Sequence, residues 1–238
     1  AMRSMIIHLP TSTARRPNAE DLLRTLPEAS IIDAVDGRDA AQIGGVRCHP
    51  GTLYRPHYPF ALKPAEIGLF LSYRRAWAAL VDSMDEYALI VEDDLAVDRV
   101  QLDQALAMIA EHATPDMFIR LPVKQRERPL RVLAQEGEMQ FFVPRVIGLQ
   151  TVAQVVGRNA AARLLRNTLE IDRPIDTTLQ MHWATGQAIH TIAPNGNREI
   201  AANLGGSTIQ TSGTRKGLLK REFARARYRA QISLRPQK

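Results

Sequence analysis

The chain has one cysteine and no long hydrophobic run. The single cysteine, Cys48, excludes an internal disulfide bond, which suits a reducing compartment. No stretch reaches the roughly 18 consecutive apolar residues of a membrane-spanning helix. The apolar run from Met5 to Leu9 is too short for a signal peptide. We therefore expect a cytoplasmic protein with no membrane span.

Acidic residues are almost absent from the C-terminal end. From residue 215 onward the chain contains nine basic residues and one acidic residue, Glu222, so this segment has a formal charge of +8. The whole chain carries +6, so the preceding residues sum to about −2. A nucleic-acid-binding domain more often carries positive charge on its folded unit, so no nucleic-acid partner is expected. The charge step predicts a body, residues 1–213, and a basic helical tail, residues 214–238.

The beginning of the chain has the order of a β-α-β unit. The apolar segments Ser4–Leu9 and Ile31–Val35 are typical of strands, and Pro17 suits the first turn of a helix that runs to Leu26. This order favours a parallel sheet in an α/β domain. A chain of 238 residues that is 45% hydrophobic can bury the core of such a domain. Residues 38–62 contain several glycines and prolines and are predicted to form a long loop.

Further helices and strands are predicted after residue 62. The clearest is a helix at Lys63–Ser83, where apolar residues recur at three- and four-residue steps. The others are a strand at Tyr87–Val91, a helix that begins near Asp98, strands at Met117–Leu121 and near Phe141–Ile147, and a helix at Asn159–Leu169.

Three consecutive carboxylates follow one of these strands. Tyr87–Val91 leads directly into Glu92, Asp93 and Asp94. Ligands of open α/β sheets bind beyond the carboxyl ends of the strands, and a hard cation such as Mg²⁺ or Mn²⁺ would relieve the repulsion among three like charges. Such a cation completes its shell with phosphate oxygens and water, so a nucleoside diphosphate is a natural partner. An acidic turn that caps a helix, or the carboxylates of a metal-dependent phosphatase or nuclease, would give the same pattern.

Several segments, in their order along the chain, resemble glycosyltransferase family 25, the lipooligosaccharide galactosyltransferase family. The segment from Lys63 to Trp77 is close to the family's Gly-Glu-Ile-Gly helix, which usually ends Leu-Ser-His, and Leu89–Asp94 is similar to its acidic segment. The other matches are Ile6–Leu9 with Arg15-Arg16, Asp33–Gly37, Gly157–Leu165 followed by Pro174–Asp176, and Gly206–Ile209. Two positions depart from the pattern, since Ala65 replaces a glycine and Tyr73 replaces a histidine. Tyr73 keeps a hydrogen-bonding group but lacks an imidazole that could titrate or bind metal.

The resemblance implies a GT-A-like, Rossmann-like fold that binds a nucleotide sugar on a mostly parallel central sheet. It also implies an inverting hexosyltransferase that moves a sugar, usually galactose, from a UDP-sugar to a lipopolysaccharide or lipooligosaccharide acceptor. Mn²⁺ or Mg²⁺ would be the cofactor. Inversion needs one in-line displacement, so a general base must take the proton of the acceptor hydroxyl while the cation holds the diphosphate.

The same resemblance assigns roles to individual residues. Asp94, and then Glu92, are expected to hold the cation, because residues i and i+2 of an extended segment face the same side. Asp176 is the first candidate for the general base, and Glu66 is placed in the site as a second catalytic carboxylate. The predicted donor contacts are Leu9, Arg15, Arg16, Asp36, Gly37, Glu92, Asp93 and Ser207.

Simpler roles stay open for several of these residues. Glu66 would also compensate the dipole at the start of its helix, and Asp176 would also cap the helix that follows it. The two arginines of the first loop fit a solvated pair, although a guanidinium matches the geometry of phosphate. His182 and His190 are candidates for a third metal ligand or for acceptor contacts, and a structural role is the commoner one for a lone histidine.

Apolar side chains stand among the basic residues of the tail, at Leu218, Leu219, Phe223 and Tyr228. This composition suits an interfacial helix on an anionic membrane surface. It predicts peripheral attachment at the inner face of the cytoplasmic membrane, where a glycolipid acceptor would lie. Three other functions stay open: a metal-dependent phosphoesterase that uses the Glu92–Asp94 cluster, a protein that binds nucleic acid through the tail, and a family member of weakened activity that acts as a binding protein.

Overall fold

The computed structural model of the chain describes residues 2–201 and 215–238. The strands are β1 (Arg3–His8), β2 (Ala29–Asp33), β3 (Arg47–Cys48), β4 (Tyr87–Glu92), β5 (Leu95–Ala96), β6 (Phe118–Arg120), β7 (Pro129–Glu136), β8 (Met139–Pro144), β9 (Ala153–Gly157), β10 (Glu170–Ile171), β11 (Ile189–Ala193) and β12 (Arg198–Glu199). The helices are α1 (Arg16–Thr25), α2 (Ala40–Ile43), α3 (Pro64–Asp82), α4 (Arg99–His112), α5 (Arg158–Asn167), α6 (Ile175–Leu179), α7 (His182–Thr185) and α8 (Arg215–Ser233). Ser207 and the predicted boundary between residues 213 and 214 lie outside the described residues.

The main sheet has the strand order β2-β1-β4-β9-β6-β11-β8-β7. Strands β2, β1 and β4 pair in parallel, as the β-α-β order predicts. β9 is antiparallel to both β4 and β6, and β8 is antiparallel to both β11 and β7. Three of the seven neighbouring pairs in this sheet are parallel, although six of its eight strands run in the same direction. The α/β class is therefore confirmed, but the sheet is mixed, and the prediction of a mostly parallel sheet is wrong.

The core lies on both faces of the sheet because successive residues of a strand point to opposite sides. Met5 and Ile7 of β1 pack with Trp77 of α3 in one hydrophobic cluster. Ile6 packs on the other face in a second cluster, with Leu22 of α1. A sheet covered on both faces explains why the middle of β1 and most of β4 are apolar. The result is three layers, with helices on both sides of the sheet.

Most of the predicted helices and strands are present. The helix predicted at Lys63–Ser83 is α3, and the strand before the acidic residues is β4. The predicted loop at residues 38–62 contains the short helix α2 and β3, which pairs with β10. In the main sheet, β7, β9 and β11 were not predicted, and neither were the two-residue strands β3, β5, β10 and β12. Of these, β9 and β11 are five-residue strands that are buried throughout.

The C-terminal helix α8 contacts the rest of the protein through one of its sides. The hydroxyl of Tyr228 accepts a hydrogen bond from Arg173. After the helix, the side chain of Gln237 exchanges hydrogen bonds with the main chain of Ile189. Elsewhere on the helix, Leu219 is 73% exposed and Phe223 is 72% exposed. No helix in the described parts of the chain is long and apolar enough to cross a membrane.

Candidate functional site

Three loops meet at the carboxyl ends of the parallel strands β2, β1 and β4. They follow Asp33, His8 and Glu92, which end these strands at one edge of the sheet. Between the loops lies a cavity of about 550 Å³, within the size range of small-molecule sites. Its lining includes Leu9, Thr11, Ser12, Arg15, Val35, Asp36, Gly37, Arg38, Ala65, Leu69, Ser72, Glu92, Asp93, Asp94 and Glu199.

Two glycines hold the second loop against helix α3. A Cβ atom on Gly37 would lie 2.1 Å from the carbonyl oxygen of Pro64, and one on Gly68 would lie 2.8 Å from the carbonyl oxygen of Val35. The amide of Val35 donates to the hydroxyl of Ser72 at 2.8 Å. Gly68 and Ser72 therefore explain why this helix motif is needed at this position. They let the loop at residues 35–37 approach α3 closely, and the loop then forms one wall of the cavity.

Glu92 lies at the floor of the cavity. The hydroxyls of Tyr73 and Thr151 donate to its carboxylate at 2.9 and 2.8 Å. Burial raises the pKa of Glu92 to about 7, and the negative charge of Asp94 adds to this effect. The family pattern has histidine at the position of Tyr73. In this chain the tyrosine hydroxyl donates a hydrogen bond directly to a carboxylate of the acidic cluster.

Asp94 has unused capacity to accept a hydrogen bond or bind a cation. Its Oδ1 atom is buried and has no hydrogen-bond partner among the described residues. Its Oδ2 lies 3.7 Å from a guanidinium nitrogen of Arg15. Burial raises the pKa of Asp94; the charge of Arg15 opposes the shift and that of Glu199 adds to it.

The described protein side chains in the cavity are too few to complete the coordination shell of a divalent cation, so a bound substrate would have to supply the remaining ligands. In residues 2–201 and 215–238, no three His, Cys, Asp or Glu side chains form a group that could hold a metal ion. Two carboxylates, from Glu92 and Asp94, with the orphaned oxygen of Asp94, fit a Mg²⁺ or Mn²⁺ ion that takes its other ligands from phosphate and water. Glu92 and Asp94 are therefore the residues that would hold the predicted cation.

Asp93 is committed to other contacts. Its carboxylate lies 2.7 Å from Nδ1 of His8 and accepts a hydrogen bond from Arg15 at 3.0 Å. Asn18 donates to its carbonyl oxygen at 2.7 Å. Asp93 thereby orients Arg15 at the cavity wall, where a guanidinium can meet a phosphate. Arg16, in contrast, is about half exposed and lies 3.7 Å from Glu20 in an i,i+4 pair on α1.

The second loop contributes a charged pair at the mouth of the cavity. Arg38 donates to both carboxylate oxygens of Asp36, at 3.0 and 2.9 Å. These hydrogen bonds lower the pKa of Asp36. The carboxylate of Asp36 is thus ionised and held next to Gly37, in the loop that follows β2.

The two predicted catalytic carboxylates are not among the described residues that line this cavity. Glu66 accepts a hydrogen bond from the amide of Lys63 at 2.9 Å and so caps its own helix. Burial raises its pKa, while the Lys63 hydrogen bond and charge lower it and Asp176 adds a smaller raising effect. Asp176 accepts hydrogen bonds from the amides of Gln150 and Thr177, at 3.2 and 2.8 Å. The two carboxylates are close enough for the charge of Asp176 to act on Glu66.

Two histidines that were candidates for a third metal ligand lie elsewhere. His182 contacts the carbonyl oxygen of Arg235 at 3.1 Å, near the C-terminus. His190 is buried on β11, where its ring stacks on Phe141 with centroids 5.6 Å apart. Burial lowers the pKa of His190 to about 4. Neither histidine lines the cavity in the described structure.

Sequence reasoning missed three residues of the site: Arg38, Thr151 and Glu199. Glu199 reaches the cavity because β12 pairs with β5, directly after the acidic residues. The amide of Ile200 also donates to the carbonyl oxygen of Asp94 at 2.9 Å. Pairing between two strands of two residues leaves no local pattern in the sequence, so no signal could have identified Glu199.

Comparison with known proteins gives two findings. Residues 2–179 match the family described as "Glycosyltransferase family 25 (LPS biosynthesis protein)". A protein of Drosophila pseudoobscura pseudoobscura with the name "Glycosyltransferase 25 family member" is 34% identical over 191 residues, which cover 74% of this chain. The match covers 30% of that relative, so the chain spans about a third of its length.

Proposed function

Because this chain belongs to glycosyltransferase family 25, we propose that it transfers a hexose, galactose, from a UDP-sugar to a lipopolysaccharide or lipooligosaccharide acceptor with inversion at the anomeric carbon. The fold would then be of the GT-A type. A metal-dependent phosphoesterase is not favoured, because the family match accounts for the acidic cluster as part of a transferase.

One observation supports this proposal most strongly. Glu92, Asp94 and Arg15 face the same cavity, at the carboxyl ends of strands β1 and β4. Carboxylates for a cation and a guanidinium for phosphate are the groups that a nucleoside diphosphate requires. Asp36 and Gly37 line the same cavity and are the proposed contacts of the nucleoside.

In this proposal the chain's own residues divide the work of binding. Arg15, held by Asp93, binds a diphosphate oxygen, and the ionised carboxylate of Asp36 accepts a hydrogen bond from the nucleoside. Glu92 and Asp94 would hold Mn²⁺ or Mg²⁺, which supplies Lewis-acid stabilisation of the leaving diphosphate.

Asp176 is proposed as the general base. The acceptor hydroxyl oxygen forms the new bond to the anomeric carbon as the bond to the diphosphate breaks, and Asp176 takes the hydroxyl proton. The main-chain amides of Gln150 and Thr177 donate hydrogen bonds to Asp176 and hold its carboxylate in position. Gln150 also lies 3.5 Å from Glu199, which lines the cavity, so Asp176 is one residue away from the cavity wall.

The proposed location follows from the acceptor. Helix α8 carries seven basic residues against Glu222 and exposes Leu219 and Phe223, a composition suited to an anionic membrane surface. We propose a cytoplasmic enzyme that associates peripherally with the inner face of the cytoplasmic membrane, where its glycolipid acceptor would be presented.

A thermal-shift screen of nucleotide sugars, with and without Mn²⁺, tests the proposed donor. We expect UDP-galactose to raise the melting temperature only when Mn²⁺ is present, and other nucleotides to act more weakly. Hydrolysis of model phosphate esters, together with no response to any nucleotide sugar, would instead identify a phosphoesterase.

A further inference from the structure

A second groove lies between helix α8 and the loop at residues 55–59. It has a volume of about 650 Å³ and is separate from the acidic cavity. One wall is formed by the loop, and the other by one face of α8 with the residues that follow it. The lining comprises Arg55, Pro56, His57, Pro59, Lys220, Phe223, Ala224, Arg227, Tyr228, Gln231, Leu234 and Arg235.

Buried contacts fix the two walls in position. The guanidinium of Arg173 is fully buried and donates to the hydroxyl of Tyr228 and to the carbonyl oxygen of Pro56, both at 2.9 Å. The rings of Tyr58 and Tyr228 make an edge contact with centroids 5.3 Å apart. Trp183 donates to the carbonyl oxygen of Arg55 at 2.9 Å. Because both walls are held by the body of the protein, the groove is a preformed feature and not a gap beside a loose helix.

The arginine and lysine residues that the structure describes in the groove are not balanced by acidic ones. Four basic residues line the groove, and no carboxylate is found among its described lining residues. Within residues 2–201 and 215–238, no ion pair joins Arg55, Lys220 or Arg227 to an acidic side chain, whereas Arg225 on the same helix pairs with Glu222. Uncompensated positive charge at a concave surface attracts anionic ligands.

Apolar side chains stand beside these basic residues, exposed to solvent. Phe223 is 72% exposed and Leu234 is 81% exposed, and both line the groove. Large apolar side chains grouped at a concave surface usually mark a binding site. A ligand that is both anionic and apolar would cover the two kinds of surface together.

The groove lies near the proposed general base. Tyr228 forms part of the groove, and Tyr58, which contacts it, belongs to the same cluster. Burial raises the pKa of both tyrosines, and the negative charge of Asp176 adds to the shift in each. The Asp176 carboxylate is therefore within electrostatic range of two tyrosines at the groove.

We propose that this groove binds the acceptor lipid as a single anionic amphiphile, with its phosphate groups on Arg55, Lys220 and Arg227 and its acyl chains on Phe223 and Leu234. The inference rests on the proposed function for the identity of the occupant. It differs from general attraction of a basic helix to a membrane, because it assigns binding to one face of α8 and leaves the other basic face uninvolved.

The experiment uses the full chain and a short-chain lipid below its critical micelle concentration, so that no membrane is present. Dihexanoyl phosphatidylglycerol is the probe; dihexanoyl phosphatidylcholine tests the need for net charge, and glycerol phosphate tests the need for chains. We expect calorimetry to detect binding of the first probe, and at least about tenfold weaker binding of the other two.

Exposed positions on α8 supply matched variants. Arg227→Glu and Phe223→Ser alter the groove, whereas Arg229→Glu and Leu219→Ser make the same changes at exposed positions outside it. We expect the groove variants to weaken binding of dihexanoyl phosphatidylglycerol about tenfold or more, and the control variants to change it less than about twofold.

Two results would overturn the inference. Equal losses in Arg227→Glu and Arg229→Glu would mean that the lipid responds only to net charge. A dimer that Phe223→Ser dissociates, with no lipid binding to the wild type, would make the groove an interface between copies of this chain. Donor-only hydrolysis of UDP-galactose, measured on the same proteins, separates these failures from failure of the proposed function: its absence in the wild type refutes the donor assignment whatever the groove binds.

Discussion

The carboxyl group of Glu92 is expected to destabilise the metal-free protein at neutral pH. Its pKa is raised from 4.5 to about 7, first by burial and then by the charge of Asp94. Below about pH 4.5 the group is neutral in both the folded and the unfolded chain, so it does not lower the free energy of unfolding. As the pH rises to 7 the unfolded chain ionises first, and the folded protein progressively loses stability.

The substitution Glu92→Gln isolates this effect. Glutamine has nearly the same shape and keeps a carbonyl oxygen that accepts the hydrogen bonds of Tyr73 and Thr151. It cannot ionise, so above pH 7 the variant should be more stable than the wild type by about 3 kcal/mol, the free energy that corresponds to the pKa shift of Glu92. For a chain of this size that difference is roughly 6–12 °C in melting temperature.

The assay is urea unfolding of both proteins without metal, across the pH range from below 4.5 to above 7. The difference in the free energy of unfolding should grow with pH and become constant above about 7. Glu136→Gln, at an exposed position in the β7–β8 hairpin, is the matched control and should show no such growth. A difference between Glu92→Gln and wild type that stays constant with pH would refute the reasoning. Adding Mn²⁺ above pH 7 should stabilise the wild type and not the variant.

Three other predictions concern the walls of the cavity. Arg15→Ala should weaken UDP binding in calorimetry roughly 10- to 100-fold through loss of a charge-assisted hydrogen bond, whereas Arg16→Ala should not, and equal losses would contradict the assignment. Asp176→Asn should leave UDP affinity unchanged and lower turnover about 100- to 10,000-fold; retained turnover would place the base elsewhere. Gly37→Ala puts a Cβ atom 2.1 Å from a main-chain oxygen and should lower the free energy of unfolding by roughly 1–3 kcal/mol in urea. Gly45→Ala has nothing within 4 Å of the new atom, and a loss as large there would refute the steric argument.

The sequence is most informative where structure depends on local pattern. The strand at Tyr87–Val91, the helix that became α3 and the β-α-β start could all be predicted, because apolar spacing and the position of Pro64 act over a few residues. The acidic residues after β4 could then be placed at the correct sheet edge, together with Leu9, Arg15 and the loop after β2.

Features that depend on distant contacts could not be predicted. The antiparallel insertion of β9 between β4 and β6 follows from pairing across the whole sheet, so the direction of the central strands was predicted incorrectly. The contacts of Arg16 with Glu20, and of Glu66 with the start of its own helix, depend on side-chain directions that a motif does not reveal. The docking of α8 rests on Arg173, whose buried partners are far away in the chain.

Titration of UDP into the protein in a calorimeter, with and without Mn²⁺, tests the central claim that Asp94 anchors a cation bound to a sugar nucleotide's diphosphate. The wild type should bind UDP only when Mn²⁺ is present. Asp94→Asn should abolish that metal-dependent binding, while Asp82→Asn, at an exposed position on α3, should preserve it. Unchanged Mn²⁺-dependent binding in Asp94→Asn would contradict the account.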